Sequence, residues 1–159
     1  MIFVTLGSQK FQFNRLLKEI DILIDRDIIK EEVFAQIGYS NYIPKNYKYK
    51  SFLNRDEFSN IMNRCDKVIT HGGTGAIIGA VKKNKKVIAI PRNMKFNEHV
   101  DNHQYEIVNE FANMNFILGV NKIEDLNEAI QSLDKINFKE YKSNTEVIVN
   151  NIDNFISKI

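Results

Sequence analysis

The chain has 159 residues, of which 43% are hydrophobic and 26% charged, and its formal net charge is +2. This size and composition suit one globular domain with its own core, which excludes an intrinsically disordered protein. The small net charge argues against a dedicated nucleic-acid binder, and the single cysteine favours a reducing, cytoplasmic setting. No leader sequence and no membrane-spanning apolar run is recognised.

Apolar runs and apolar residues at helical spacing alternate along the chain. Strands are predicted for residues 2–6, 33–37, 47–52, 68–70, 87–90 and 116–118. Helices are predicted for residues 12–25, 54–65, 74–83, 97–112 and 123–133, with a C-terminal amphipathic segment that runs to Ile159. Strands that alternate with helices form a parallel sheet covered on both faces. The sequence therefore predicts an α/β, Rossmann-like, doubly wound fold in residues 1–136, followed by an amphipathic helix in residues 137–159.

Two of the predicted helices carry a start signal of their own. Asn54, with Glu57 three residues later, resembles a capping box, in which each side chain accepts from the backbone N–H of the other residue. Asp101 and Gln104 have the same spacing, so a capping box with Asp101 as the N-cap is one interpretation of this pair. Val100 is expected on the inward face of that helix.

A glycine-rich turn, residues 71–75, lies between a predicted strand and a predicted helix. Paired glycines let the backbone direct its N–H groups towards one point, and these groups and the helix dipole attract an anion. Thr74 can cap the helix or donate its hydroxyl to a phosphate, and His71 can donate a hydrogen bond. A merely structural turn is the alternative, but a histidine and a threonine among three glycines favour phosphate binding.

Polar side chains crowd the segment from Glu98 to Gln104, more densely than a helix start requires. Successive strand-to-helix turns of a parallel sheet share one edge, so this segment and the glycine-rich turn are expected to face one pocket. Acid and amide groups there suit sugar hydroxyls. His99 and His103 have the spacing of a metal pair, but the glutamate between them that a zincin carries is missing, so no metal is predicted.

Two further strand ends are expected at this edge. Arg92 can pair with a phosphate or be solvated. Gly7 and Ser8 follow the first strand without the other glycines of a dinucleotide fingerprint, so a nicotinamide-cofactor enzyme is disfavoured. No cofactor is predicted.

These motifs together resemble the C-terminal, donor-binding half of glycosyltransferase family 28 enzymes, which have the two-domain GT-B arrangement. The resemblance is greatest to stand-alone subunits: the small subunits of two-part UDP-N-acetylglucosamine transferases, and bacterial exopolysaccharide and capsule glycosyltransferase subunits. It rests on four segments in order: Phe3–Ser8, Cys65–Gly75, Val87–Arg92 and Glu98–Gln104.

The resemblance implies a UDP-sugar donor, bound by residues 1–136 without a metal. It implies that the glycine-rich turn holds the diphosphate, that Asp101 and Gln104 hold the sugar, and that Gly7 and Ser8 line the cleft. Some family members bind the uridine ribose with a glutamate where this chain has Gly79. The predicted donor-binding residues are Gly7, Ser8, His71, Gly72, Gly73, Thr74, Gly75, Arg92, Glu98, Asp101, Asn102 and Gln104.

A complete GT-B enzyme has a second domain that binds the acceptor and often carries the catalytic base. The resemblance therefore implies a membrane-anchored partner subunit that binds a lipid-linked saccharide and holds this chain at the cytoplasmic membrane face. The expected function is the donor-binding subunit of an inverting, two-part transferase of exopolysaccharide or capsule synthesis, with the base on the partner or, alternatively, His71. The C-terminal helix packs on this domain or on the partner. A non-catalytic accessory subunit is the competing interpretation.

Overall fold

A six-stranded, all-parallel sheet organises the protein, and the computed structural model describes residues 1–142 and 145–157. The strands are β1 Ile2–Thr5, β2 Val33–Gln36, β3 Lys48–Lys50, β4 Lys67–His71, β5 Lys86–Ile90 and β6 Leu118–Gly119. Their order in the sheet is β3-β2-β1-β4-β5-β6, which confirms the predicted doubly wound fold. The order reverses between β1 and β4, so the loops that follow these two strands flank the switch point of the sheet.

The helices cover both faces of the sheet. They are α1 Asn14–Asp25, α2 Arg55–Arg64, α3 Thr74–Val81, α4 His103–Asn113, α5 Leu126–Ser132 and α6 Thr145–Ile156. Short 3₁₀ turns lie at Met94–Phe96, Ile123–Asp125 and Leu133–Lys135. The capping box of α2 is confirmed: Asn54 accepts from the Glu57 backbone N–H at 2.9 Å, and Glu57 accepts from that of Asn54 at 3.1 Å.

The core consists of two apolar clusters, one on each face of the sheet, because successive residues of a strand point to opposite faces. Val4 packs into the cluster under α1 and α5, and the preceding residue Phe3 packs into the cluster under α2, α3 and α4. Both residues are fully buried. Coverage of both faces explains why the central strands β1 and β5 are apolar over almost their whole length instead of alternating.

The helix predicted for residues 97–112 is wrong over its first six residues. The structure has a 3₁₀ turn at Met94–Phe96 that is capped by Asn97 with a left-handed φ of 55°, and α4 begins only at His103. Val100, predicted to face inward, is 69% exposed. Short polar side chains compete with a helix by bonding to nearby backbone groups, as Asp101 does with the His103 N–H at 3.0 Å.

The last strand begins two residues later than predicted. Asn115, with a φ of 60°, lets the Phe116 N–H donate to the Phe111 carbonyl at 3.1 Å and so closes α4. The chain therefore enters the sheet at Leu118, which pairs with Ile88 of β5.

The apolar side chains of α6 that the structure describes are exposed and belong to neither core cluster. They are Val147, Ile148, Val149, Ile152, Phe155 and Ile156. Docking of this helix on a partner stays a prediction, and Ile159 lies outside the described residues. No helix within the described ranges has both the length and the apolarity to cross a bilayer.

Candidate functional site

The loops after β1 and β4 touch at the carboxyl edge of the sheet. Gly7 has a φ of +72°, and a Cβ added there would lie 2.7 Å from Cε1 of the His71 ring. Position 7 therefore requires glycine, because the positive φ disfavours other residues and because the His71 ring occupies the space of a side chain. Ser8 is exposed beside it. The structure therefore brings these two predicted segments together at the switch point, where open α/β sheets bind their ligands.

The glycine-rich turn leaves backbone amides free. Gly73 is the N-cap of α3 and Thr74 its first helical residue, so the predicted capping role of Thr74 is wrong. The N–H groups of Gly73, Thr74 and Gly75 donate to none of the described residues, and Thr74 and Gly75 are exposed. The first bonded amide is that of Ala76, which donates to the Gly73 carbonyl at 3.1 Å. Free amides at the positive end of a helix dipole are suited to a phosphate.

Gln104 connects the turn to the next strand. Its Oε1 accepts from the Gly72 N–H at 3.1 Å and from the Arg92 N–H at 3.0 Å. Gln104 is only 5% exposed, its Oε1 is engaged by these two amides and the N-cap is Asn102, so the capping-box interpretation of Asp101 and Gln104 is wrong. Its Nε2 donates to none of the described residues and remains available to a ligand.

Glycine at position 72 allows α4 to approach β4 closely. A Cβ added at Gly72 would lie 2.7 Å from the Gln104 Cβ and 2.9 Å from the Gln104 backbone oxygen. Gly72 is therefore part of the scaffold, since its amide is already bonded, and the free amides of the turn begin at Gly73.

Arg92 lies beneath the site, so its predicted contact with a phosphate is wrong. Its side chain is 1% exposed, and its Nη atoms donate to backbone carbonyls of Leu6 at 2.6 Å, Phe11 at 2.9 Å and Glu98 at 3.2 Å. Its Nε is buried and has no partner among the described residues. Burial lowers the pKa of Arg92 to about 10, so the guanidinium stays charged at neutral pH.

Glu98 is also buried and does not line a pocket wall, which corrects its prediction. Its carboxylate accepts from Arg15 Nε at 2.8 Å and Arg15 Nη2 at 3.0 Å, and from the Asn93 backbone N–H at 2.9 Å. This bidentate pair fixes the loop before α4 against α1. Sequence reasoning missed Arg15, because its partner lies 83 positions away and no local pattern marks it.

Asp101 and Asn102 lie exposed on the loop before α4. Asn102, and not Asp101, is the N-cap residue of α4, which corrects the predicted cap. Asp101 instead accepts from the His103 N–H and contacts the ring of His99. His99 and His103 face different acids, Asp101 and Glu106, and do not converge.

His71 is buried against both loops of the site. Burial, with the neighbouring Arg92 cation, lowers the pKa of His71 to about 4. The imidazole is therefore neutral at physiological pH and brings no positive charge to an anion. Its assignment as a ligand contact or a base stays a prediction.

We expect this histidine to make the fold less stable below pH 6.5. In the unfolded chain His71 binds a proton near pH 6.5, whereas in the folded protein it does so only near pH 4. The free energy of unfolding therefore rises by up to about 3 kcal/mol as the pH increases from 4 to 6.5. His71→Gln should lose that slope in urea unfolding measured from pH 4.5 to 7.5. His103→Gln, which changes an exposed histidine, should retain it. An equal pH dependence of the free energy of unfolding in both variants would contradict the conclusion that burial lowers the pKa of His71.

Comparison with known proteins agrees with this fold and shows the family of the chain. The family model of the glycosyltransferase family 28 C-terminal domain matches residues 1–159. An NMR solution structure of ALG13 superposes with a TM-score of 0.59 at 19% sequence identity and covers 89% of both chains. At that identity the superposition supports the fold alone.

Two curated relatives match parts of the sequence. The UDP-N-acetylglucosamine transferase subunit ALG13 of Candida glabrata is 30% identical over 97 residues, which are 60% of this chain and 46% of that protein. The UDP-N-acetylglucosamine--N-acetylmuramyl-(pentapeptide) pyrophosphoryl-undecaprenol N-acetylglucosamine transferase of Prochlorococcus marinus is 28% identical over 158 residues, 93% of this chain and 42% of that protein. The chain thus spans less than half the length of either relative.

Proposed function

This chain belongs to the glycosyltransferase family 28 C-terminal domain family, and we propose on that basis that it is the donor-binding subunit of an inverting glycosyltransferase. The observation that carries the proposal is the set of free backbone amides of residues 73–75 at the switch point of the sheet, where Thr74 and Gly75 are exposed. A nucleoside diphosphate sugar fits this site, because its diphosphate takes the amides while its hexose reaches the carboxamide of Gln104.

The same amides are suited to the chemistry of transfer. Negative charge builds on the diphosphate as UDP departs, and the amides of Gly73, Thr74 and Gly75 with the dipole of α3 stabilise it in a fixed geometry. The Nε2 group of Gln104 offers a hydrogen bond to a sugar hydroxyl. Both relatives described above are N-acetylglucosamine transferases by name, so UDP-N-acetylglucosamine is the first donor to test.

A partner subunit completes the proposal. The donor site is an open sheet edge, and a GT-B cleft needs a second domain across it to hold the acceptor. We infer a membrane-anchored partner that binds a lipid-linked saccharide and keeps this chain at the cytoplasmic membrane face. The named relative ALG13 is itself a transferase subunit, which supports a two-part enzyme. A role in exopolysaccharide or capsule synthesis is supported only by the resemblance to bacterial subunits.

Thr74→Pro is expected to weaken UDP binding about tenfold or more while α3 remains folded. Proline is tolerated at the first helical position, and the φ of −82° and ψ of 122° at Gly73 suit the residue before a proline. The substitution removes one free N–H, and a hydrogen bond to a charged group is worth about 1.5–3 kcal/mol. Isothermal titration of UDP into the full chain measures the effect.

Thr74→Ala is the matched control, because it loses the hydroxyl but keeps the amide. It should bind UDP within a fewfold of the unsubstituted chain. Equal UDP affinities for the unsubstituted chain, Thr74→Pro and Thr74→Ala would mean that the turn does not bind UDP. Failure of the unsubstituted chain to bind UDP would contradict the donor site and favour the competing interpretation, a non-catalytic accessory subunit.

A further inference from the structure

A cavity of about 480 Å³ opens at the carboxyl edge of the sheet. Its walls come from α1, the loop after β5, α4 and the segment after β6. Small-molecule sites have this size and combine aromatic walls with a few polar groups. The lining includes Arg15, Asn93, Phe96, Tyr105, Lys122 and Glu124.

The cavity adjoins the residue that faces the sugar in the proposed donor site. The loop after β5 meets α4 there, because the Arg92 N–H donates to Gln104 Oε1 at 3.0 Å. One residue further along both segments, Asn93 Nδ2 donates to the Tyr105 hydroxyl at 2.9 Å, and both of these residues line the cavity. Each segment therefore passes from the donor site to the cavity within one residue.

Phe96 offers the cavity an aromatic face. The residue is 49% exposed, and the Arg15 guanidinium lies over its ring, 5.2 Å from the centroid. The turn that carries it is held in place, since Gln12 Nε2 donates to the Phe96 carbonyl at 2.8 Å. The negative face of an aromatic ring attracts the weakly positive C–H hydrogens on one side of a sugar ring. This ring is therefore suited to stack on a pyranose.

The polar groups of the cavity suit a neutral ligand with several hydroxyls. The Tyr105 hydroxyl accepts one hydrogen bond, and its own hydrogen is donated to none of the described residues. The side chains of Lys122 and Glu124 are exposed and have opposite charges, and the charge of Arg15 is paired with Glu98. A site without net charge does not favour a phosphate or a carboxylate. Sugar hydroxyls, in contrast, can donate to the carboxylate and accept from the ammonium.

We propose that this cavity binds a neutral sugar unit of the saccharide acceptor, with one face of the ring on Phe96 and hydroxyls bonded to Tyr105 and Lys122. The inference rests on the proposed function, because an acceptor site needs a donor sugar beside it. It assigns part of acceptor recognition to this chain, in addition to the partner. The cavity supplies binding and no reacting group, so its loss should raise the KM for the acceptor and leave the KM for the donor unchanged.

Two-dimensional ¹H–¹⁵N NMR of the full chain tests sugar binding directly. The probes are the methyl glycosides of N-acetylglucosamine, glucose, galactose and glucuronate, titrated to about 50 mM, which saturates a site with a Kd of about 1 mM. At least one neutral glycoside should shift the amide signals of Phe96 and Tyr105. Phe96→Ala should weaken its binding about tenfold or more. Tyr105→Phe, which loses only the hydroxyl, should weaken it about three- to tenfold.

Met94→Ala is the matched control, because Met94 is an exposed apolar residue of the same turn and is not part of the cavity lining. It should bind the glycoside within about twofold of the unsubstituted chain. Absence of shifts with every neutral glycoside would overturn the proposal, as would tighter binding of the glucuronide or equal weakening by Met94→Ala and Phe96→Ala. Should thermal melting show Phe96→Ala to be unfolded, Tyr105→Phe decides.

A transfer assay tests the assignment to the acceptor. Detergent-solubilised membranes in which each variant replaces the native chain receive radiolabelled UDP-N-acetylglucosamine, UDP-glucose, UDP-galactose or UDP-glucuronate. Graded amounts of lipid extracted from native membranes supply the acceptor. Phe96→Ala should raise the KM for this lipid about tenfold, in proportion to its loss of glycoside binding, with the KM for the donor unchanged. An unchanged KM for the lipid would contradict the assignment.

UDP titration of the same labelled chain separates the two ideas. UDP should shift the amide signals of residues 73–75, whereas the glycosides should shift those of the cavity. UDP binding without glycoside binding overturns only the cavity. Glycoside binding without UDP binding overturns the donor site, and with it the assignment of the cavity to an acceptor.

Discussion

Arg92→Ala is expected to lower the free energy of unfolding by about 3–5 kcal/mol, because it removes one partner from a buried charged network. The guanidinium donates to backbone carbonyls of Leu6 and Phe11, at the loop after β1, and of Glu98, on the loop before α4. Its loss leaves buried acceptors without donors and opens a cavity between the loops.

Two further variants make this prediction specific. Arg92→Lys keeps the charge, but a single ammonium cannot reproduce the planar fork that reaches three carbonyls, so we expect it to recover less than half of the loss. Arg26→Ala changes an exposed arginine at the end of α1 and should shift the free energy by less than about 0.5 kcal/mol. Urea unfolding followed by circular dichroism at pH 7 measures all three. A loss below about 1 kcal/mol in Arg92→Ala would mean that the guanidinium is not structural.

Gln104→Ala is expected to cost about 2–4 kcal/mol of stability and to weaken UDP binding as well. The substitution leaves the N–H groups of Gly72 and Arg92 buried without an acceptor, and each such group costs about 1–3 kcal/mol. Because Gly72 precedes the free amides of the turn, release of its N–H should also disorder the anion site.

Gln104→Glu separates the structural role of this residue from its role towards a sugar. A carboxylate can still accept from both backbone N–H groups, so at least half of the lost stability should return. It cannot replace the N–H donor of the carboxamide, so sugar transfer should stay low. Urea unfolding measures the stability, and an assay of sugar transfer from radiolabelled UDP-N-acetylglucosamine to membrane lipid measures the transfer. Equal stability of the alanine and glutamate variants would contradict the scaffold role of Oε1.

Local patterns were sufficient for the architecture and for placing the glycine-rich turn at the carboxyl edge of the sheet. The alternation of apolar runs with helical spacing predicted the parallel sheet, since that pattern reflects which side of each element is buried. The glycine-rich turn was recognisable because consecutive glycines between a strand and a helix let the backbone direct its N–H groups towards one point. The start of α4 was misplaced because side-chain hydrogen bonds of the preceding loop, and not apolar periodicity, decide where it begins.

The sequence by itself thus determined a doubly wound α/β domain with a glycine-rich turn between its fourth strand and the following helix. Only the tertiary structure decided which polar side chains face that site and which support it from beneath. Gln104 reaches Gly72 across 32 positions, Arg15 reaches Glu98 across 83, and Arg92 reaches Leu6 across 86. Periodicity and turn chemistry are local properties, whereas these hydrogen bonds exist only once packed strands and helices bring distant loops together.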